Sequence, residues 1–173
     1  PEMEARIRHK YELKNTCGYG VNSLVDYDDP VDILMHLMIG SEGTLGFISE
    51  VTFETVPDLK LKASALLYFP SIREACKSIL PLRECSVSAA ELMDRNALRA
   101  VENEPGMPET LRTLPDEAVA LLIDTSANDE QTLQKQFAEI EEKLSSVQTL
   151  YPVSFTTDPG LYATYWRVRS GLF

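Results

Sequence analysis

The sequence predicts an α+β fold with an antiparallel sheet, preceded by a short glycine-rich piece. Three observations carry this. After Pro57 the elements run in the order β-α-β-α and then β-α-β. The segment Asn128 to Val147 repeats Leu133, Phe137, Ile140, Leu144 and Val147 at four-three spacing, one apolar stripe on a helix. Pro57-Asp58 marks a change of character and reads as a domain boundary, between residues 1–57 and 58–173. With 173 residues, 44% hydrophobic and 25% charged, the chain has enough material for one domain or two small pieces.

The elements follow in order. Pro1 to Leu13 reads as a strongly polar helix, and Lys14 to Tyr19 as a loop or short strand. Asp29 can cap a helix whose first residue is Pro30, running from Val31 to about Met38 with Ile33, Leu34, Leu37 and Met38 at helical spacing. Phe47 to Val56 is rich in β-branched and aromatic residues and predicts a strand. Lys62 to Phe69 predicts another. Ser71 with Glu74 forms a capping box for a helix with the stripe Ile72, Ala75, Cys76 and Ile79, ended by Pro81. Ser86 to Leu92 predicts a strand, Asp94 to Val101 a short helix, and Asn103 to Pro115 a proline-rich loop. Ala118 to Ile123 is a strand. Asn128 and Gln131 pair as the cap of the long helix, Gln148 to Phe155 is a strand, and Asp158-Pro159 opens the last helix. This order suggests helices on one face of an antiparallel sheet, resembling a ferredoxin-like sandwich.

Composition excludes several classes. The formal charge of −11 opposes nucleic-acid binding, which requires cations to replace phosphate counterions. Cys17, Cys76 and Cys85 lack Cys-x-x-Cys spacing and read as reduced thiols of a cytosolic protein. The apolar run Val31 to Ile39 is too short for a membrane span and carries Asp32 and His36. The charged N-terminus shows no signal peptide. The chain lacks an initiator Met and ends Trp166-Arg167-Val168-Arg169-Ser170-Gly171-Leu172-Phe173, which reads as an excised fragment of a longer protein.

The most informative stretch is Ile39-Gly40-Ser41-Glu42-Gly43-Thr44-Leu45-Gly46-Phe47-Ile48. Glycines at three-residue spacing let a bulky ligand lie against the main chain, and the exposed N–H groups can point at phosphate oxygens. A plain glycine turn accounts for the same pattern. A Walker loop does not fit, because no lysine follows Gly46. A Rossmann fingerprint does not fit either, because the order here is helix, loop, strand.

Ile39 to Glu50 closely resembles the glycine loop of the flavoproteins related to vanillyl-alcohol oxidase, especially the D-2-hydroxyacid dehydrogenase branch. Lys14-Asn15-Thr16-Cys17-Gly18-Tyr19-Gly20 resembles that branch's K-N-x-T-G-Y segment, with the threonine shifted by one. Trp166-Arg167-Val168-Arg169 is similar to its W-x-x-R. The longer spacer Asp26 to Pro30 looks like the larger bacterial members, which carry iron–sulfur motifs far downstream.

The resemblance implies that residues 1–57 end an FAD-binding domain of the PCMH type and that residues 58–173 begin a substrate, or cap, domain. It implies FAD contacts at Ser41, Glu42, Gly43, Thr44, Gly46 and Ile48. Arg169 would hold the carboxylate of a small 2-hydroxy acid, for which a guanidinium fork is suited. Arg167 would face solvent. On a helix, Tyr162, Trp166 and Arg169 share one face, and Leu161, Tyr165, Val168 and Leu172 a neighbouring, more buried one. The histidine-rich segment supplying metal ligands and the catalytic base would lie beyond Phe173, so no catalytic residue and no metal ligand is assigned here. His36 reads as structural and His9 as solvated. The implied protein is a cytoplasmic dehydrogenase, peripheral to the inner membrane at most, that passes electrons to an acceptor the sequence does not name. Two rivals are a stand-alone α+β binding module without flavin, and a flavin oxidase acting on a non-carboxylate alcohol.

Overall fold

The computed structural model describes residues 1–170. The chain divides into two compact units, residues 1–56 and the residues from Pro57 onward.

The first unit is built from three short helices, α1 (Glu2–Lys10), α2 (Ser23–Asp26) and α3 (Pro30–Met38). Helix α1 buries no residue, consistent with its polar sequence, and is tied down by Arg8, which donates to Glu4 Oε1 (3.0 Å) and to the carbonyl of Val25 (2.7 Å). Helix α3 starts as its sequence dictates: Asp29 accepts from the N–H groups of Val31 and Asp32, and Pro30 is the first residue. The strand expected over Phe47 to Val56 does not form; the segment is irregular and exposed throughout. A strand is stable only when its N–H and C=O groups meet a neighbouring strand, and among the described residues of this unit none lies alongside.

The second unit contains β1 (Leu61–Phe69), α4 (Ile72–Arg83), β2 (Ala89–Met93), α5 (Arg95–Val101), α6 (Thr110–Thr113), β3 (Val119–Ala127), α7 (Glu130–Leu144) and α8 (Pro159–Ser170). The three strands form an antiparallel sheet in the order β1-β3-β2, with Ile123 aligned between Ala65 and Ala90. β1 and β2 are thus parallel strands split by β3, the arrangement of the ferredoxin-like sandwich. The segment expected as a strand over Gln148 to Phe155 and the residue after it meet β1 by backbone hydrogen bonds at two points. Leu150 N–H donates to Tyr68 C=O (2.7 Å), and Ser64 and Thr156 exchange two bonds (3.1 and 2.8 Å). Pro152 falls between them and has no N–H to give, so the ladder is interrupted.

β3 is buried on both faces. On one, Val119, Leu121 and Ile123 join Ala65, Leu67 and Phe69 against Ala75 and Leu82 of α4 and Ile140 and Leu144 of α7. On the other, Ala120 and Leu122 join Leu66, Tyr68 and Met93 against Leu98 and Val101 of α5, Leu111 of α6 and Val168 of α8. The expectation of helices on a single face therefore holds for α4 and α7 but not for the whole unit. The run Val119-Ala120-Leu121-Leu122-Ile123 has no polar alternation, as befits a strand covered twice.

Three local expectations are corrected. Helix α4 buries Ala75, Ser78 and Leu82, while Ile72, Cys76 and Ile79 are exposed; the serine is admissible because its hydroxyl donates to Ala75 C=O (2.6 Å). Pro81 does not end this helix, which continues to Arg83, since in the last turn a missing N–H removes only one bond. Helix α7 is capped by Asp129, not Asn128: its carboxylate accepts from Thr132 N–H and from Thr132 Oγ1, both at 2.8 Å. A charged acceptor at the helix N-terminus outcompetes the neutral amide one residue earlier. Asp129→Ala is accordingly expected to lower the thermal midpoint of the chain, with Asn128→Ala within experimental error of the parent, both measured by circular dichroism melts.

Candidate functional site

The glycine turn is tightly made. Ser41 is buried, its N–H donates to Met38 C=O (3.1 Å), and its own carbonyl accepts both the N–H (3.0 Å) and the hydroxyl (2.6 Å) of Thr44. Because the Thr44 proton is committed to Ser41, the Tyr19 hydroxyl is the donor in its 3.0 Å bond to Thr44 Oγ1. That bond joins the Lys14–Gly20 segment to the turn. Gly40 and Gly43 have φ of +78° and +77°, and Glu42 has φ of +52°, the one non-glycine residue in the left-handed region among those described. Backbone strain of this kind persists only where the surroundings fix it, and it gathers at ligand sites.

Thr16, Gly18 and Tyr19 of one segment and Gly40, Ser41, Glu42 and Thr44 of the other line a cavity of about 270 Å³. A second, of about 360 Å³, lies beside it, lined by Asn15, Gly20, Tyr27, His36 and Ile39 and sharing Thr16, Gly18 and Gly40 with the first. His36 is held there by structure: its ring stacks on Tyr27 (centroids 3.9 Å apart) and Nδ1 lies 2.7 Å from Asp32 C=O. His9 is exposed, beside Glu12. Gly43, Gly46 and Ile48 line neither cavity. A Cβ on Gly46 would lie 2.6 Å from the terminal methyl of Met38, whereas one on Gly18, Gly40 or Gly43 would meet nothing within 4 Å. Ile48 is half-exposed.

In the second unit the informative residue is one the sequence reading passed over. Asp124 sits in the middle of β3, buried, and the Ser64 hydroxyl donates to its Oδ1. Its Oδ2 accepts from the Tyr162 hydroxyl (2.7 Å) and from Trp166 Nε1 (3.2 Å), both on α8. The available signal was an acid directly after the apolar run ending at Ile123, placed by strand alternation on the same face as Leu122. Helix α8 begins as expected, with Asp158 Oδ1 accepting from Leu161 N–H (2.8 Å). Val168 is fully buried and Tyr165 and Trp166 pack against the core, while Leu161 is exposed and Leu172 lies outside the described residues. Arg167 is exposed and donates to Pro105 C=O (3.0 Å). Arg169 is about one-third exposed (37%), with Nη2 3.7 Å from Glu91 Oε1 on β2.

Loss of hydration, and then the bond to and charge of Asp124, push the Tyr162 phenol up to about 12. The unfolded chain gives up this proton first, so the stabilisation is complete below the ordinary tyrosine value near 10 and is lost as pH rises toward about 12. Urea unfolding followed from pH 9 to 12 is expected to show a fall in stability that Tyr162→Phe makes shallower; other groups raised in the fold add to the fall, Tyr68, Tyr165 and Cys85 through burial and Lys143 through its bond to Glu84.

Residues 59–173 match the family described as FAD linked oxidases, C-terminal domain. The chain belongs to that family. Over 158 residues it is 28% identical to the mitochondrial D-lactate dehydrogenase [cytochrome] of Kluyveromyces lactis, covering 90% of this chain and 24% of that protein. It is 27% identical to a D-lactate dehydrogenase of Anaerostipes hadrus (80% of this chain, 30% of that one). It is 26% identical to the glycolate oxidase subunit GlcD of Bacillus subtilis (75% and 26%). The chain thus spans between about a quarter and a third of the length of these relatives.

Family membership makes FAD the cofactor, and the first unit fits part of such a group. Among the described residues, the N–H groups of Glu42 and Gly43 have no acceptor within the protein. Asn15 Nδ2, buried and without a partner, belongs to a residue lining the adjoining cavity. A surplus of donors beside open space at Gly18, Gly40 and Gly43 suits an anionic, oxygen-rich ligand. Among the described residues no helix is long and apolar enough to cross a membrane, and no His, Cys, Asp and Glu cluster could hold a metal ion.

Proposed function

We propose that this chain is part of an FAD-dependent dehydrogenase of small D-2-hydroxy acids, of the lactate, glycolate or 2-hydroxyglutarate type. Residues 1–57 would close the FAD-binding domain and residues 58–173 would open the substrate domain. The observation that carries the reading is the family match over residues 59–173, beginning just past Pro57, joined to relatives whose names specify D-lactate, glycolate and D-2-hydroxyglutarate.

FAD, when bound, accepts the electrons released on oxidising the α-carbon of such an acid. In this reading the chain's own residues bind and orient. The N–H groups of Glu42 and Gly43, with the hydroxyl of Ser41, face the polar length of the cofactor, while Thr44, its hydroxyl engaged with Ser41 and Tyr19, holds the turn in shape. Main-chain donors are fixed by the turn and need no rearrangement to meet an anion. Gly46 and Ile48 act through the backbone alone. Arg169 supplies a partly exposed guanidinium that forks onto the substrate carboxylate. The protein would work in the cytoplasm or, like several matched relatives by name, in mitochondria.

In the full-length enzyme, Arg169→Met is expected to raise KM for the preferred 2-hydroxy acid by roughly 10–100-fold, the worth of a charged hydrogen bond, with flavin content unchanged. An unaltered KM would remove Arg169 from the site. Gly43→Val places a branched side chain at φ +77° and is expected to lower the flavin-to-protein absorbance ratio of the purified enzyme. Full flavin occupancy in that variant would leave the turn without its assigned role.

A further inference from the structure

A carboxylate is a costly residue to bury in the centre of a sheet, where an aliphatic side chain would pack for nothing. Asp124 is 8% exposed, stands opposite Ser64 in β1 and Ala89 in β2, and shares the Leu122 face covered by α8. Both donors from α8 converge on one oxygen, Oδ2. Tyr162 and Trp166 are four residues apart and therefore one above the other on the helix. Arg169 continues the same stripe: seven residues beyond Tyr162, it is offset from it by only about 20° around the axis. Two hydrogen bonds to a single fixed atom define how far α8 can roll on the sheet. Apolar contact by Val168 and Tyr165 is non-directional and leaves the roll to the polar contacts, these two and the Arg167 bond to Pro105 C=O.

Taking Arg169 as the carboxylate receptor proposed above, we propose that Asp124 is a positioning residue for substrate binding. Through Tyr162 and Trp166 it fixes the rotation of α8, and so the direction in which the Arg169 guanidinium is presented. Ser64 sets the carboxylate plane from the other side by holding Oδ1. The cluster touches no substrate; it acts through the helix.

The test uses the full-length flavoenzyme and oxalate, a redox-inert anion that reports carboxylate capture through the flavin absorbance spectrum. Asp124→Leu is expected to weaken oxalate binding about tenfold at unchanged flavin content, whereas Asp124→Asn stays within about threefold. The asparagine oxygen can accept from Tyr162 and Trp166 while its NH₂ donates to Ser64. On an Arg169→Met background, Asp124→Leu should add less than about twofold, because the group it aims is gone. Equal fold-changes on both backgrounds would show a purely structural role and overturn the inference while leaving Arg169 in place. No effect of Arg169→Met on oxalate would instead overturn the receptor assignment and the inference with it. Should Asp124→Leu fail to fold, Tyr162→Phe, which keeps the ring, is expected to weaken oxalate about threefold on the parent background only; unchanged binding would equally overturn the inference.

Discussion

The second unit depends on one constraint: β3 must be covered on both faces and paired on both edges. Its residues from Val119 to Thr125 are buried without a break, so it can exist only between β1 and β2 and between two sets of helices. Helices α4 and α7 satisfy one face, and α5, α6 and α8 the other. Aliphatic burial of this kind supplies the driving force but no direction. Direction comes from the few polar contacts set into it, above all the hydroxyl and indole donors that meet Asp124.

The first unit works on a different principle. Among its described residues only Ser23 and Ser41 are buried, so it has no apolar core of its own. Its order comes from hydrogen bonds: Asp29 at the start of α3, Arg8 onto the Val25 carbonyl, and the Tyr19–Thr44–Ser41 chain that closes the glycine turn. A turn shaped this way presents main-chain donors outward, and the shape is stored in three consecutive-region positive φ values at Gly40, Glu42 and Gly43.

What was legible in the sequence was local. Asp29-Pro30, Ser71 and Asp158 cap their helices as read, because a cap is settled within three or four residues. The α7 stripe reappears with Leu133, Ile140 and Leu144 buried, since fifteen residues of clear periodicity fix a face. What was illegible depends on partners far along the chain. Phe47 to Val56 has strand composition but nothing to pair with in its unit, and the run from Gln148 bonds to β1 only at Leu150 and Thr156, on either side of Pro152. Asp124 was missed for the same reason, its donors lying 60, 38 and 42 residues away. Of the residues read as cofactor contacts, Ser41, Glu42 and Thr44 come together around one cavity with the Lys14–Gly20 segment, a convergence the motif spacing could not show.

The irregular run after the glycine turn has a practical consequence for handling the protein. Phe47, Phe53 and Val56 are each more than four-fifths exposed, amid further β-branched residues. Such a stretch, apolar, exposed and paired with no strand, is a template for intermolecular sheet growth. The 173-residue chain expressed by itself should therefore be prone to clump through this arm, and a lysine or proline placed there would keep it in solution.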